Sequence, residues 1–432
     1  MAAVMPAGSY RASPALTIGD KLLVLLLPWL LLADSVNGAL LLATGDSYGV
    51  SVLYKSLLLL VICCRLLQLS PRWLAGLAAA GVVLCIGPLW TYRLTGHPYL
   101  LQDLQLALKL LTPLLAFCYG LRLFQLYPQQ AKLLLHRIML YSYLIVLLNM
   151  LLGLGGIGYT AYQPMDDVEQ SFLGVKGFFY STNELSALLL VLTAYLLLYC
   201  RQQQYLYYYL LISGLSLLCA LLLLTKTGLF GTVILIVAIP LLALPLSSWR
   251  AHRKSVLLAL ILAGVVLLLV ILNAEMLLRM LGIYDKLQFV YQQQGLSGIL
   301  LSSRDLYASR LWQVSEEHYS ELHRLFGVGV AGIRLYLKKY FAELDWFDLM
   351  IFFGITGVVV FILTFGRFFY AAWQQRYAAA GRVMLLLNLL LLLVSSLAGH
   401  VMTSGMLWLP WAMANAMLIS TTGPRREHER SA

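Results

Sequence analysis

Charge is what this chain has least of. Of its 432 residues only 11% are Asp, Glu, Lys or Arg, against 61% in the hydrophobic set. Soluble domains carry about 25% charged residues, so a water-soluble globule is excluded and the chain reads as an integral membrane protein. Cysteine is scarce too. Cys63, Cys64, Cys85, Cys118, Cys200 and Cys219 all lie inside or at the ends of apolar runs and none lies in a large loop, which argues against a disulfide framework or a zinc site. The apolar runs are long and continuous, which excludes a transmembrane β-barrel with its weak alternation over about ten residues. The N-terminal part lacks a short apolar stretch followed by a small-residue cleavage site, so the first run is expected to be a span and not a removed signal peptide.

What the sequence does have is apolar runs of membrane-spanning length, about 20 residues each. Twelve are expected, at 22–43, 49–67, 74–90, 101–124, 136–154, 183–200, 205–224, 227–246, 256–273, 347–366, 383–400 and 403–420. Seventeen of the 30 basic residues fall in one set of connections, among them Arg65, Arg122, Arg201, Arg253 and Arg376, with only Asp20, Glu427 and Glu429 as acids on that side. The positive-inside rule makes that face cytoplasmic, with both termini inside. Fifteen of the 19 acids fall in or beside the other connections, and Asp34 stands alone inside the first run.

Two external connections, 155–182 and 274–346, exceed the roughly 15 residues of an ordinary loop, a length that marks functional or disordered segments. The larger carries aromatic and aliphatic residues at helical intervals and is expected to fold as a cap. The chain thus divides into an N-terminal membrane domain over 1–273 with nine spans, an external loop domain over 274–346, and a C-terminal membrane domain over 347–432 with three spans and a basic tail.

The richest stretch runs Ser302-Ser303-Arg304-Asp305-Leu306-Tyr307-Ala308-Ser309-Arg310-Leu311-Trp312, then Leu325-Phe326-Gly327-Val328-Gly329, then Phe341-Ala342-Glu343-Leu344-Asp345-Trp346-Phe347-Asp348, and finally Gly354-Ile355-Thr356-Gly357 in the following span. This order resembles the bacterial O-antigen ligase and O-antigen polymerase superfamily of polytopic membrane glycosyltransferases. Ser303, Arg304, Phe326, Gly327, Gly329, Gly354 and Gly357 match the family's S-G-R-x-x-x-W-like segment, F-G-x-G turn and G-x-x-G helix, with Ser303 where the family usually has Gly. Gly174 to Glu184 is similar to the family's G-x-F-x-x-x-N entry into a span. Thr225-Lys226-Thr227-Gly228 is similar to its Ser-Arg entry, with a basic residue at the start of the span. Family ligases carry a His about eleven residues before the glycine of the next helix. Here that position is Glu343, and the E-x-D-x-x-D pattern of Glu343, Asp345 and Asp348 looks more like the polysaccharide polymerases.

The resemblance implies an all-α, twelve-span, glycosyltransferase C-like protein of the bacterial inner membrane, joining undecaprenyl-diphosphate-linked glycan units to a glycan acceptor on the periplasmic face. Its expected partners are the lipid-linked donor, a glycan or lipid acceptor, membrane lipids and a chain-length regulator protein; no cofactor, metal or nucleic acid is expected. The rivals are a ligase acting on lipid A core or another acceptor, and a lipid-linked oligosaccharide flippase.

The chemistry of such a transfer assigns roles. Arg offers bidentate donors to phosphate oxygens and Lys a point charge, so Arg304, Arg310, Lys226 and Lys176 are the expected diphosphate ligands; headgroup contact, local pairing and snorkelling are the competing accounts. Glu343 and Arg304 are the expected catalytic residues, Glu343 as general base, against an interaction of Glu343 with the helix dipole. Asp345 and Asp348, three apart on one helix face, bind the acceptor or simply cap the following span. Asn183 and Glu184 open a span and are read as caps, His318, His323 and His400 as structural.

Overall fold

The computed structural model describes residues 15–162, 173–245 and 284–420. The expected span at 256–273, the basic cluster of Arg250, Arg253 and Lys254 and the C-terminal tail lie outside the described residues. Within them the chain is almost entirely helical: α1 (Ile18–Leu26) and α2 (Leu30–Thr44), joined by a 3-10 turn at Leu27–Trp29, then α3 (Val50–Leu69), α4 (Pro71–Thr95), α5 (Leu100–Leu126) and α6 (Pro128–Leu154). A short antiparallel pair follows, β1 (Tyr159–Thr160) with β2 (Val175–Gly177), in register Tyr159 to Gly177. Then come α7 (Thr182–Gln202), α8 (Leu206–Leu223) and α9 (Lys226–Leu242), and after the undescribed segment α10 (Tyr284–Leu301), α11 (Arg304–His318), α12 (Glu321–Phe326) and α13 (Gly329–Arg334). The chain closes with α14 (Asp345–Gln374), α15 (Ala379–Leu397) and α16 (Trp408–Ser420).

Local chemistry sets the helix ends. Pro71 and Pro128 open α4 and α6, where a missing N–H costs nothing. The side chains of Thr17, Ser181 and Thr225 accept the N–H of Asp20, Glu184 and Gly228. Pro28 lies in the 3-10 turn that separates α1 from α2, so the first expected run is two helices in line and not one.

Among the described residues nine helical segments are long and apolar enough to cross a membrane, with α1, the 3-10 turn and α2 counted as one. The protein is therefore an all-α, multi-pass membrane protein. Two further apolar helices sit at expected positions but are short: α9 has 17 residues and α16 has 13. At 1.5 Å per residue α16 covers roughly 20 Å, less than the roughly 30 Å hydrocarbon core. The expected span at 403–420 starts late because residues 398–407 form a loop whose N–H groups are held by carboxylates, as described below.

The middle of the bundle is α5, α7 and α16; α3, α4 and α8 present most of their length outward. Trp411 of α16 is fully buried against Phe365 and Phe368 of α14, with ring centroids 5.1 and 4.6 Å away. Backbone and side-chain polar groups inside a membrane must find partners within the protein. The Trp411 indole accordingly donates to Asn388 Oδ1 (2.8 Å), and Asn388 donates to Asn415 Oδ1 (2.9 Å). Near the opposite end Arg65 clamps Asp20 with two bonds of 2.9 and 2.7 Å, both residues buried.

The cap, α10 to α13, is seated on the bundle by two devices. Asp103 of α5 accepts the N–H of Val330 (2.6 Å) and Ala331 (3.2 Å), holding the first turn of α13. Beside it the Phe326-Gly327-Val328-Gly329 turn lies against a kink in α14, where Val328 N–H donates to Ile351 O at 3.0 Å. Both glycines are sterically required. A Cβ on Gly327 (φ +84°) would stand 2.2 Å from Phe352 O, and one on Gly354 (φ +60°) 2.1 Å from Leu325 O. The glycine pattern thus builds the joint between cap and span.

Candidate functional site

The turn Ser302-Ser303 takes two consecutive left-handed residues (φ +53° and +63°) and delivers Arg304 as the first residue of α11. Arg304 points back to the membrane domain. Its Nη2 lies 3.0 Å from Glu343 Oε2 and its Nη1 donates to Leu397 O at the end of α15 (3.1 Å). Nε is buried and has no hydrogen-bond partner among the described residues. Lys339 Nζ reaches the other Glu343 oxygen at 3.5 Å, and Lys226, at the start of α9, donates to Ser302 Oγ at 3.4 Å. Tyr162 donates to Leu224 O, two residues before Lys226, and lies within electrostatic reach of both Arg304 and Glu343. Two cations thus share one carboxylate, and Lys226 is held nearby through the Ser302 hydroxyl.

Glu343 is held in an unusual backbone, φ +63°, which costs a non-glycine residue about 1–3 kcal/mol unless its surroundings enforce it. Asp348 enforces it. Its two oxygens accept the N–H groups of Ala342 (2.8 Å), Glu343 (3.0 Å) and Leu344 (3.2 Å). Asp345 does the same for the opposing loop, accepting from the Ser395 hydroxyl (2.6 Å) and from the N–H groups of His400 (2.6 Å), Val401 (2.8 Å) and Met402 (3.0 Å). The two loops then pack so closely that a Cβ on Gly399 would meet Glu343 backbone atoms at 2.6 Å.

The electrostatics follow from this arrangement. Burial by itself would push the Glu343 carboxyl up, but the charges of Arg304, Lys339 and His400 outweigh burial and hold it below the usual carboxylate range. It is an anion at neutral pH as long as those cations face it.

Of the residues singled out from sequence, Arg304, Glu343 and Lys226 come together here. Asp345 and Asp348 are beside them but buried, 3% and 5% exposed, with their oxygens engaged by backbone N–H groups. Carboxylates so engaged by the backbone have little left to offer an acceptor hydroxyl; what the structure gives them is the holding of the Glu343 turn and of the 400–402 loop. Arg310 is exposed on α11, six residues on and so about 120° around the helix from Arg304. Lys176 is half-buried in β2, donates to Tyr180 O (2.9 Å) and lies over the Tyr159 ring (5.8 Å). Burial lowers its ammonium below the ordinary lysine range. The expected histidines are packed: His318 stacks on Tyr336 at 3.8 Å and His323 sits against Trp90 at 4.6 Å.

Lys339, Tyr162 and the His400 contribution were not foreseen. Lys339 precedes Glu343 by four residues, the one local signal for the pair; Tyr162 is brought in by the β1–β2 hairpin, which nothing in the apolar pattern announces. No family model and no curated protein matches this chain.

Proposed function

We propose that the Arg304–Glu343 cluster is the transfer site of a membrane glycosyltransferase that uses a polyprenyl-diphosphate-linked glycan, acting as a polysaccharide polymerase. The observation that carries this reading is that two cations, Arg304 and Lys339, share the single Glu343 carboxylate, while Arg304 Nε is buried without a hydrogen-bond partner among the described residues. A diphosphate leaving group supplies the missing negative charge, and fixed donors around a departing anion need no reorganisation as charge develops.

In this scheme the acceptor hydroxyl oxygen forms a bond to the anomeric carbon of the donor as the bond from that carbon to the diphosphate oxygen breaks. Glu343 takes the hydroxyl proton, and the electron pair of the broken bond leaves on the diphosphate, held by Arg304, Lys339 and Lys226. Bound diphosphate also competes for the cations that keep Glu343 acidic. Its carboxylate then becomes a stronger base at the moment a proton must be taken. Asp348 and Asp345 fix the Glu343 turn and the loop that receives Arg304. The site would face the periplasmic side of the inner membrane, as the split of basic residues between the two sets of connections supports.

The purified full-length protein, reconstituted with a lipid-linked repeat unit, tests the reading. Wild type is expected to build a ladder on the polyprenyl diphosphate, whereas Glu343→Gln and Arg304→Ala insert normally and build none. A single adduct on a lipid acceptor would make it a ligase, and wild-type elongation by both variants would refute the assignment.

A further inference from the structure

A second site lies in the membrane domain. A half-open cavity of about 480 Å³ is lined by α2, α3, α5, the β2–α7 connection, the start of α7 and the turn before α16. This is within the roughly 300–1,000 Å³ of small-molecule sites. Its charged lining is balanced: Asp34 and Glu184 against Lys55 and Lys109. Ionisable residues within spans are expensive and by default mark function.

One feature separates this lining from a merely structural ion pair. Asp34 Oδ1 accepts both the Lys55 ammonium and the Ser51 hydroxyl, while Asp34 Oδ2 is buried with no hydrogen-bond partner among the described residues. Asn37 Oδ1, one turn further along α2 and also lining the cavity, is in the same condition. Buried acceptors left open cost stability, and here two of them lie three residues apart on α2, both in residues that line the cavity.

The chemistry selects the occupant. An inorganic anion or cation calls for a charge surplus that the lining lacks, and a bare lipid chain, though it suits the apolar part of the walls, leaves Asp34 Oδ2 and Asn37 Oδ1 without donors. A neutral, hydroxyl-rich ligand fits. Its O–H groups can donate to Asp34 Oδ2 and Asn37 Oδ1, and its oxygens can accept from Lys55 and Lys109. Its C–H faces can lie on the aromatic walls of Tyr159, Tyr180 and Trp408.

The cavity is also tied to the transfer site by one loop. Leu397 O accepts from Arg304, the N–H groups of residues 400–402 donate to Asp345, and Ser404 and Gly405 donate to Glu184 on the cavity wall (2.8 and 2.9 Å). Eight residues of chain separate Leu397 from Gly405, at most about 28 Å even if fully extended. We propose that this cavity is a saccharide-binding site that holds sugar units of the growing glycan beside the transfer site. The glycan's identity as a growing chain rests on the reading given under Proposed function; the saccharide class rests on the cavity alone.

In-cell photocrosslinking tests it whatever the sugar is. A benzophenone amino acid replacing Leu41 or Val52, both on the cavity lining, is irradiated in the full-length protein, and the adduct is assayed for periodate-sensitive carbohydrate and for phospholipid. The expected result is a carbohydrate adduct whose yield per folded protein falls at least tenfold in Asn37→Leu and in the charge-neutral pair Asp34→Asn/Lys55→Gln. The yield should persist in Glu343→Gln, which blocks transfer but not binding. Asn37→Leu leaves the ion pair intact, so it decides the matter if the double variant fails to fold. An adduct with phospholipid only, no adduct, or a yield unchanged in both cavity variants overturns the proposal. Continued elongation by Glu343→Gln would instead overturn the transfer reading and leave a carbohydrate adduct standing.

Discussion

Removing the Asp348 carboxylate should cost stability and turnover together, because its three bonds all go to the backbone that shapes the Glu343 turn. In Asp348→Ala the N–H groups of Ala342, Glu343 and Leu344 lose their acceptor. A buried donor left without a partner costs about 1–3 kcal/mol. Ala342 and Leu344 are buried and Glu343 is partly exposed, so with one N–H rescued by water the loss is about 2–6 kcal/mol. That is a large fraction of a typical folding stability of about 5–15 kcal/mol. Asp348→Asn keeps one carbonyl oxygen, which can serve up to two of the three donors, and should lose only about 1–3 kcal/mol. Thermal unfolding in detergent should rank wild type above Asn above Ala, with Ala lower by roughly 5 °C or more. Transfer assays on the folded fraction should show kcat reduced with acceptor KM little changed, since the carboxylate positions Glu343 and does not touch the acceptor. An Asp348→Ala protein as stable as wild type, with only KM raised, would refute the reasoning and return Asp348 to acceptor binding.

Other perturbations separate the packing claims from the chemical ones. Gly354→Ala forces a Cβ to within 2.1 Å of Leu325 O at φ +60°, and should detach the cap, seen as new proteolytic cleavage between α11 and α14; Gly366→Ala on the same helix meets open space and should leave cleavage unchanged. The low carboxyl value of Glu343 means that its pairing stabilises the protein above the unfolded value of about 4.5 and that this contribution disappears as pH falls through the lower folded value. Melting midpoints followed downward from about pH 6 to pH 3 should therefore fall more steeply in wild type than in Glu343→Gln. Arg65→Met strands the buried Asp20 carboxylate and should cost about 3–5 kcal/mol in thermal unfolding, whereas Asp20→Leu/Arg65→Met should recover most of it.

The apolar runs made the helices legible, because the bilayer imposes a length and a composition that few other contexts require. Boundaries failed where a distant carboxylate decided them. Residues 403–407, Thr-Ser-Gly-Met-Leu, join the expected span only through the apolar residues that follow them; Glu184 and Asp345 hold residues 400–405 in a loop, and the Thr-Ser-Gly run is the one local sign of it. Arg304, Glu343 and Lys226 were found through the order of a motif, and the glycines of that motif have a separate physical reason in the cap joint. For Asp345 and Asp348 the E-x-D-x-x-D spacing describes equally a set of ligands and a set of carboxylates bonding to the chain, Asp348 back to residues 342–344 and Asp345 across to Ser395 and residues 400–402; only the N–H positions show these bonds. Asp34 stood out as a lone charge in an apolar run, but its partner Lys55 lies on the next helix, where periodicity carries no information about which faces meet.

The central claim, glycosyl transfer at the Arg304–Glu343 cluster, is most directly tested by rates of the reconstituted protein with a radiolabelled polyprenyl-diphosphate-linked repeat unit. Loss of the base should lower the rate by about 10²–10⁴-fold in Glu343→Gln, and loss of the guanidinium by about 10²–10³-fold in Arg304→Ala, with donor still bound in both. Unchanged rates in the two variants, or a wild-type protein that moves the labelled lipid across the bilayer without forming a glycosidic bond, would contradict it.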